Sequence, residues 1–264
     1  MRALWWEPRA LRVRELDLAP AHWPAALDGL RVGVVSDLHA GAPHIRAAAV
    51  QRVADRLAER RPDLIALLGD YVDPAVRGGE PVAPEAVAQA LAGLRAPLGV
   101  LAVLGNHDWA NAGERMPRAL AAAGITVLED DARELRPGLW AVGLGDARTR
   151  DPDPVAALSA VPAGAAVLVL AHDPDVFPRI PGRASLTLCG HTHGGQVDLP
   201  LLRRHVIPSR YGDRYAAGHI VEDGRHLFVT RGVGTSGWPV RLRSVPEVVI
   251  LRLVTPSAGA RTPA

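Results

Sequence analysis

Several common features are missing from this chain of 264 residues, and each absence excludes a class of structure. All 30 basic residues are arginine, and 28 acidic residues balance them, so no general polyanion-binding surface is expected. The one cysteine, Cys189, cannot form an internal disulfide, and we interpret it as a small buried residue that ends a strand. No apolar run reaches the length of about 18 residues that a transmembrane helix needs.

The N-terminal segment also lacks the continuous apolar core of a secretory signal. We predict a leading strand and a turn within residues 1–29, as part of the same domain as the rest of the chain. Trp5 and Trp6 could touch a membrane interface, but we expect them to pack within a short first strand.

Apolar residues make up 48% of the chain, which is enough for a large core. Three strand–loop–helix units follow one another, and this order indicates parallel strands with crossover helices. The predicted strands are 30–36, 63–68 and 99–104, and the helices are 44–60, 84–95 and 114–123. Ligands of such sheets lie beyond the carboxyl ends of the strands.

The second half of the chain has a tighter pattern. We predict strands at 125–128, 133–136, 139–144, 165–170, 226–230 and 247–253, with a helix at 152–160. The pattern favours two sheets packed face to face with helices outside, in one domain. Residues 255–264 are predicted to form a disordered tail.

Polar side chains capable of binding metal follow four of these strands and a fifth apolar run at 184–188. They are Asp37, His39, Asp70, Asn106, His107, His172, His191 and His193. Burying so many carboxylates and imidazoles together without a counter-ion would cost several kcal/mol. The mixture of oxygen and imidazole ligands suits Mn, Fe or Zn, and the number of ligands exceeds the need of one tetrahedral ion. A pair of ions bridged by one carboxylate would use them all.

The order of these motifs resembles the signature of the calcineurin-like metallophosphoesterases. The motifs are Asp37-x-His39, Gly69-Asp70-x-x-Asp73, Gly105-Asn106-His107-Asp108, His172 and Gly190-His191-x-His193. The resemblance covers residues 30–254, which we take as the metallophosphoesterase domain. It implies a mixed α/β fold, a four-layer αββα sandwich of two mixed sheets flanked by helices.

The resemblance also implies a role for each motif residue. Asp37, His39 and His193 correspond to the ligands of a first ion, and Asn106, His172 and His191 to those of a second. Asp70 corresponds to the bridge between two divalent or trivalent ions. His107 corresponds to the catalytic residue that faces the phosphoryl oxygen or the leaving group, and Asp108 to an acid that orients it. The implied reaction is hydrolysis of a phosphoric ester by metal-activated hydroxide.

Strings such as His191-Thr192-His193-Gly194-Gly195-Gln196 are similar to a bacterial subfamily linked to envelope phosphodiester and UDP-2,3-diacylglucosamine pyrophosphate chemistry. That similarity suggests a phospholipid-like or nucleotide-linked substrate. Residues 199–215 interleave apolar residues with arginines, which is typical both of a phospholipid-binding loop and of an exposed hairpin with solvated arginines. The candidate substrate-binding residues are Arg203, Arg204, Arg210 and Trp109.

Two alternative functions remain open at this stage. One is a nuclease or cyclic-nucleotide phosphodiesterase, although the balanced charge counts against long nucleic acid. The other is a non-catalytic metal-binding scaffold. Without a recognised signal or anchor, we expect a cytoplasmic protein or one that is peripheral at the inner membrane.

Overall fold

The structure is a computed structural model that describes residues 1–20, 22–199 and 206–256. Its framework is two six-stranded mixed sheets. The first sheet contains β1 (Arg12–Leu18), β2 (Leu30–Val35), β3 (Leu64–Leu67), β4 (Val100–Ala102), β5 (Thr126–Val127) and β12 (Glu247–Leu253). The second contains β6 (Asp131–Arg136), β7 (Leu139–Gly143), β8 (Ala166–Leu170), β9 (Leu186–Cys189), β10 (Gly218–Glu222) and β11 (Arg225–Val229).

The strand order brings the carboxyl ends of several strands to one edge. In the first sheet the order is β1-β12-β2-β3-β4-β5, with β2, β3, β4 and β5 mutually parallel. In the second it is β10-β11-β9-β8-β7-β6, with β7, β8, β9 and β11 parallel. The predicted strand–loop–helix units therefore form parallel strands, because a crossover helix returns the chain to the same end of the sheet.

Helices cover the outer face of each sheet. The α-helices are α1 (Ala47–Ala58), α2 (Pro84–Leu91), α3 (Asn106–Asn111), α4 (Arg115–Ala122) and α5 (Pro154–Ser159). One core lies under α1, α2 and α4, and another lies between the second sheet and α5. A third core separates the two sheets. The fold is thus a sandwich of two sheets flanked by helices.

Strand alternation explains how a single strand serves two cores. In β3, Leu64 and Ala66 face the core between the sheets, whereas Ile65 and Leu67 face the helices. Every one of these side chains is fully buried, so the strand reads as a continuous apolar run. Cys189 is buried at the end of β9, as predicted.

The first strand differs from its prediction. Residues Arg2–Trp6 form a turn of π-helix, and Trp5 and Trp6 expose 59% and 78% of their surface. The interpretation that these indoles pack in a strand is therefore wrong. The physical reason is that β1 pairs with β12 only from the Arg12–Glu247 register onward, so the preceding residues have no strand beside them.

Within the described parts of the chain, no helix combines the length and the apolar character needed to cross a bilayer. The tail predicted at 255–264 lies almost wholly outside the described residues, which end at Pro256.

Candidate metal centre

The loops after β2, β3 and β9 share an uncommon backbone conformation. Five candidate ligands there have positive φ angles of 44–68° although none is glycine: Asp37, His39, Asp70, His191 and His193. A left-handed conformation of this kind costs about 1–3 kcal/mol in a non-glycine residue. Such a cluster is typical of a functional site, where surrounding structure holds the backbone in place.

Two motif glycines are required by close approach of these loops. A Cβ on Gly105 would collide with the carboxylate of Asp70, and one on Gly190 would collide with Ser36 and the Asp37 carboxylate. The Asp37 carboxylate also accepts hydrogen bonds from the backbone N–H of His191, at 3.1 and 3.0 Å. The loops of the two sheets therefore interlock at the edge that both sheets share.

The interlocked loops gather the predicted ligands into two neighbouring groups. In one, His193 Nε2 lies 3.1 Å from His39 Nε2 and 3.5 Å from Asp37 Oδ1. In the other, His172 Nε2 lies 3.1 Å from both His191 Nδ1 and Asp70 Oδ2. Each group offers ligand atoms that all lie within 4.8 Å of one another. We call these six buried side chains the floor of the site.

Asp70 and Asn106 complete this arrangement. Asp70 Oδ2 lies 3.5 Å from His39 Nε2 as well as 3.1 Å from His172 Nε2, so it faces both groups. Asn106 Oδ1 is a buried oxygen for which no hydrogen-bond partner is found among the described residues. Buried acceptors without partners are rare, and a cation would satisfy this one. The residues present therefore fit bound metal ions.

The electrostatics of the floor favour cation binding. Burial opposes the charge of Asp37, yet the imidazoles of His193 and His39 hold its pKa well below the ordinary value. Burial, reinforced by the neighbouring His172, lowers the pKa of His191 to about 3, so that its imidazole is neutral and can bind metal. Burial also opposes protonation of His39, but Asp37 and Asp73 raise its pKa to about 9. A bound ion would displace the proton of His39.

His107 is oriented by Asp73. His107 Nδ1 lies 3.2 Å from Asp73 Oδ2, and the same oxygen lies 3.0 Å from His39 Nδ1. A carboxylate oxygen can only accept, so it places a proton on Nδ1 of each ring and leaves each Nε2 to face the site. Despite burial, these two histidines hold the pKa of Asp73 below its ordinary value.

The orienting role that the sequence predicted for Asp108 is therefore a wrong assignment. Its buried carboxylate accepts hydrogen bonds from the backbone N–H groups of Asp70, Tyr71, Val72 and Gly105. Burial and the Asp70 carboxylate raise its pKa to about 7, and the bonds from Gly105 and Tyr71 oppose that rise. Asp108 fixes the loop that carries Asp70, because both of its oxygens are used by the backbone.

Two further residues that were not predicted from the sequence support the floor. Arg241 is fully buried, and its Nη2 lies 3.1 Å from His193 Nδ1 and donates to Arg231 O at 2.8 Å. Gln196 binds the loop that faces it, since its Nε2 donates to Ser236 O and Trp238 O at 3.1 Å each. No local pattern indicates Arg241, whereas Gln196 stands in the recognised motif.

A cavity of about 440 Å³ opens above the floor. His107, Asn106 and His191 line its base, and Arg148, Val206 and Trp238 line its rim. We call these three rim residues the mouth. Arg148 donates from Nε to Asp173 Oδ2 at 3.1 Å and from Nη2 to Pro208 O, so its guanidinium is held beside His191.

Arg148 was missed by the sequence analysis, although a signal for it exists. The carboxylate of Asp146 follows the predicted strand at 139–144, as the other polar motifs follow theirs. Asp146 Oδ2 accepts from the backbone N–H groups of Arg148 and Thr149, at 3.2 and 2.9 Å. The same strand-end reasoning would have pointed to this loop.

Two of the predicted substrate-binding residues, Trp109 and Arg210, do not line the cavity. The ring of Trp109 lies partly buried under the guanidinium of Arg150, 4.0 Å from its centroid, and Trp238 provides the aromatic wall of the cavity instead. Arg210 turns to Asp175, with its backbone N–H 2.8 Å from Asp175 Oδ2. The role of these two residues in substrate binding stays a prediction that the lining of the cavity does not support. Arg203 and Arg204 lie outside the described residues.

These observations define a class of protein: a hydrolase with a buried His/Asp metal centre where two packed sheets share their strand ends. The chain belongs to the calcineurin-like phosphoesterase family, whose sequence profile matches residues 30–195. Members of this family use divalent metals, and the protein is a metal-dependent phosphoric ester hydrolase.

Individual relatives agree with the suspected subfamily. The chain is 35% identical to the phosphodiesterase YaeI of Escherichia coli over 232 residues, which cover 83% of this chain and 80% of the relative. It is 26% identical to the UDP-2,3-diacylglucosamine pyrophosphatase LpxG of Chlamydia trachomatis, covering 93% and 90% of the two chains.

One solved structure is also similar to this chain. A putative 5′-nucleotidase from Staphylococcus aureus in complex with alpha-ketoglutarate is 12% identical, with a TM-score of 0.49. The match covers 88% of this chain, which spans about half the length of that protein, 56%.

Proposed function

We propose that the enzyme binds two metal ions and uses them to hydrolyse a phosphodiester or pyrophosphate bond. The single observation that carries this proposal is the position of Asp70 Oδ2 between the two ligand groups, 3.5 Å from His39 Nε2 and 3.1 Å from His172 Nε2. One carboxylate that faces two sets of imidazoles is the arrangement that bridges a metal pair.

In this proposal, the floor and Asn106 together form two ligand sets. Asp37, His39 and His193 hold one ion, and Asn106, His172 and His191 hold the other, with Asp70 in common. Mixed imidazole and oxygen ligands suit manganese, iron or zinc. When bound, such ions supply Lewis-acid activation of the phosphoryl group and of the attacking water.

The chain's own residues then handle the proton and the leaving group. His107 lines the base of the cavity, and its Nδ1 donates a hydrogen bond to Asp73 Oδ2, with 3.2 Å between the two atoms. Its Nε2 is the atom that can give a proton to the departing oxygen. Above it, the mouth combines a guanidinium with an indole, which suits a substrate that carries a second anionic group and an apolar group. The relative named as a diacylglucosamine pyrophosphatase supports the same substrate class.

The test uses a generic substrate, bis(4-nitrophenyl) phosphate, with Mn, Fe, Zn and Mg added in turn to metal-free protein. We expect two equivalents of bound metal in the active form. Asp70→Asn should lose hydrolysis and at least one equivalent of metal, and His107→Ala should lose hydrolysis but keep both. His219→Gln, which replaces an imidazole that contacts His226 on β11 rather than the site, is the control and should behave as wild type. Full activity in Asp70→Asn would reject the proposal.

A further inference from the structure

The exposed apolar side chains of this protein are concentrated on one side. Eight large apolar side chains are exposed among the described residues, and six of them surround the active-site cavity or the N-terminal turn next to it. We call these six residues the apolar belt: Met1, Leu4, Trp5, Trp6, Val206 and Trp238. The remaining two, Val155 and Val221, lie on α5 and β10. A concentration of exposed apolar side chains on one side is typical of an interaction site.

The N-terminal turn is fixed against the loop that forms the mouth. The backbone N–H of Arg241 donates to Ala3 O at 2.9 Å, and Met1, Leu4 and Trp5 share a surface cleft with Pro239. Pro239 follows Trp238, which lines the active-site cavity. The N-terminal indoles and the entrance of the site therefore lie on the same side of the protein, linked through Pro239.

The exposed charged side chains of the N-terminal turn are all arginine. Glu7, the only acidic residue in the first ten, is buried and paired with Arg2 at 3.2 Å, whereas Arg2 and Arg9 are exposed. The guanidinium of Arg9 lies 4.2 Å from the centroid of Trp5, and that of Arg77 lies 4.6 Å from the centroid of Trp238. Indoles flanked by arginines are suited to the headgroup layer of an anionic membrane, where the ring enters the interface and the cation meets lipid phosphate.

We propose that the apolar belt docks the enzyme on an anionic lipid surface, with the mouth of the active site facing the lipid. This inference rests on the proposed function, because an apolar phosphate ester lies in such a surface and would reach the cavity beside Trp238. The belt and its flanking arginines combine apolar contact with electrostatic attraction, and the strength of interfacial binding increases with both.

The test measures co-sedimentation with vesicles made of phosphatidylcholine alone or of equal parts phosphatidylcholine and phosphatidylglycerol. Wild type should bind the anionic vesicles, and high salt or neutral vesicles should weaken binding. The double variant Trp5→Ala/Trp6→Ala should lower the partition coefficient by roughly tenfold or more, because two indoles no longer leave water. The matched control Val155→Ala/Val221→Ala removes the exposed apolar residues outside the belt and should bind as wild type.

Three results would overturn the proposal. They are no binding to anionic vesicles, undiminished binding by the double tryptophan variant, and a wild-type dimer that the same variant converts to a monomer in size-exclusion chromatography. The last result would show that the belt is covered by a second copy of the chain. Hydrolysis of bis(4-nitrophenyl) phosphate, a water-soluble ester, should be unchanged in the double variant. If wild type lacks that activity but binds vesicles, the proposed function fails while the docking surface stands.

Discussion

The floor and the mouth of this site are built in opposite ways. The floor is buried, and five of its six residues have a left-handed backbone conformation. Its side chains contact other protein groups on nearly every side. The mouth lies at the surface, and Trp238 exposes 58% of its area. The difference indicates a division of labour, in which the floor determines the chemistry and the mouth determines which ester is accepted. Substitutions in the two regions should therefore differ in kind as well as in size.

The largest effect is expected from Asp108→Ala, which removes the carboxylate that supports the floor residue Asp70. Four backbone N–H groups would lose their acceptor, and each costs about 1–3 kcal/mol when left buried and unsatisfied. We expect a loss of several kcal/mol in the free energy of unfolding together with loss of activity, measured by chemical denaturation. Asp151→Ala, which removes an exposed carboxylate, should leave stability nearly unchanged. Wild-type stability in Asp108→Ala would show that water replaces the carboxylate.

A smaller effect on the floor is expected from Asp73→Asn. The amide keeps the shape of the side chain but weakens the hold on Nδ1 of both His39 and His107. Loss of such a supporting contact typically reduces activity or metal affinity by roughly 10–100-fold. Turnover and metal content should both fall, whereas Asp153→Asn, which exchanges one helix-capping residue for another, should change neither. Unchanged metal content would show that Asp73 orients His107 but is not needed for metal binding through His39.

At the mouth, Arg148→Gln should act on binding. Loss of a hydrogen bond to a charged group costs about 1.5–3 kcal/mol, so we expect KM for a pyrophosphate ester to rise roughly tenfold or more. KM for a singly charged diester should rise much less. Arg148→Lys keeps the charge but not the two contacts that hold the guanidinium, so an intermediate KM is expected. An equal loss for both esters would place Arg148 in the support of Asp173 rather than in substrate recognition.

The smallest effect is expected from Trp238→Ala. This exposed indole can stabilise only an apolar part of the substrate, at about 25 cal/mol per Å² of surface removed from water. We expect a roughly threefold higher KM for 4-nitrophenyl hexadecyl phosphate and little change for 4-nitrophenyl methyl phosphate. The two esters serve as internal controls for each other. A similar change for both would mean that the loop held by Gln196 moves when the indole is removed.

Strand positions and strand-end residues were predictable because their signals are local. A short apolar run such as 63–68 identifies β3 whatever surrounds it, and Asp70 follows it directly. Parallel strands end at the same edge, so residues far apart in sequence could be expected to meet there. The structure does bring all eight predicted strand-end residues to that edge. Whether they hold two ions is tested by the metal analysis above.

Residues that depend on partners distant in the chain were not predictable in the same way. Arg210 and Arg148 are both loop arginines, but only Arg148 lines the cavity. The guanidinium of Arg148 is bound by Asp173, whereas that of Arg210 lies 3.4 Å from Asp175 Oδ2. Likewise, Asp73 and Asp108 are both acids beside motif residues, and only their contacts show which of them holds a histidine.

By itself, the sequence determined the class of chemistry, because the metal-binding residue types that follow each strand can be identified directly from the sequence. The tertiary structure alone decided which acid orients His107, which arginine reaches the cavity, and that the N-terminal indoles stand exposed beside the entrance. These features depend on which loop lies against which. That arrangement arises from the packing of two sheets and from the register of β1 on β12, neither of which leaves a local pattern in the chain.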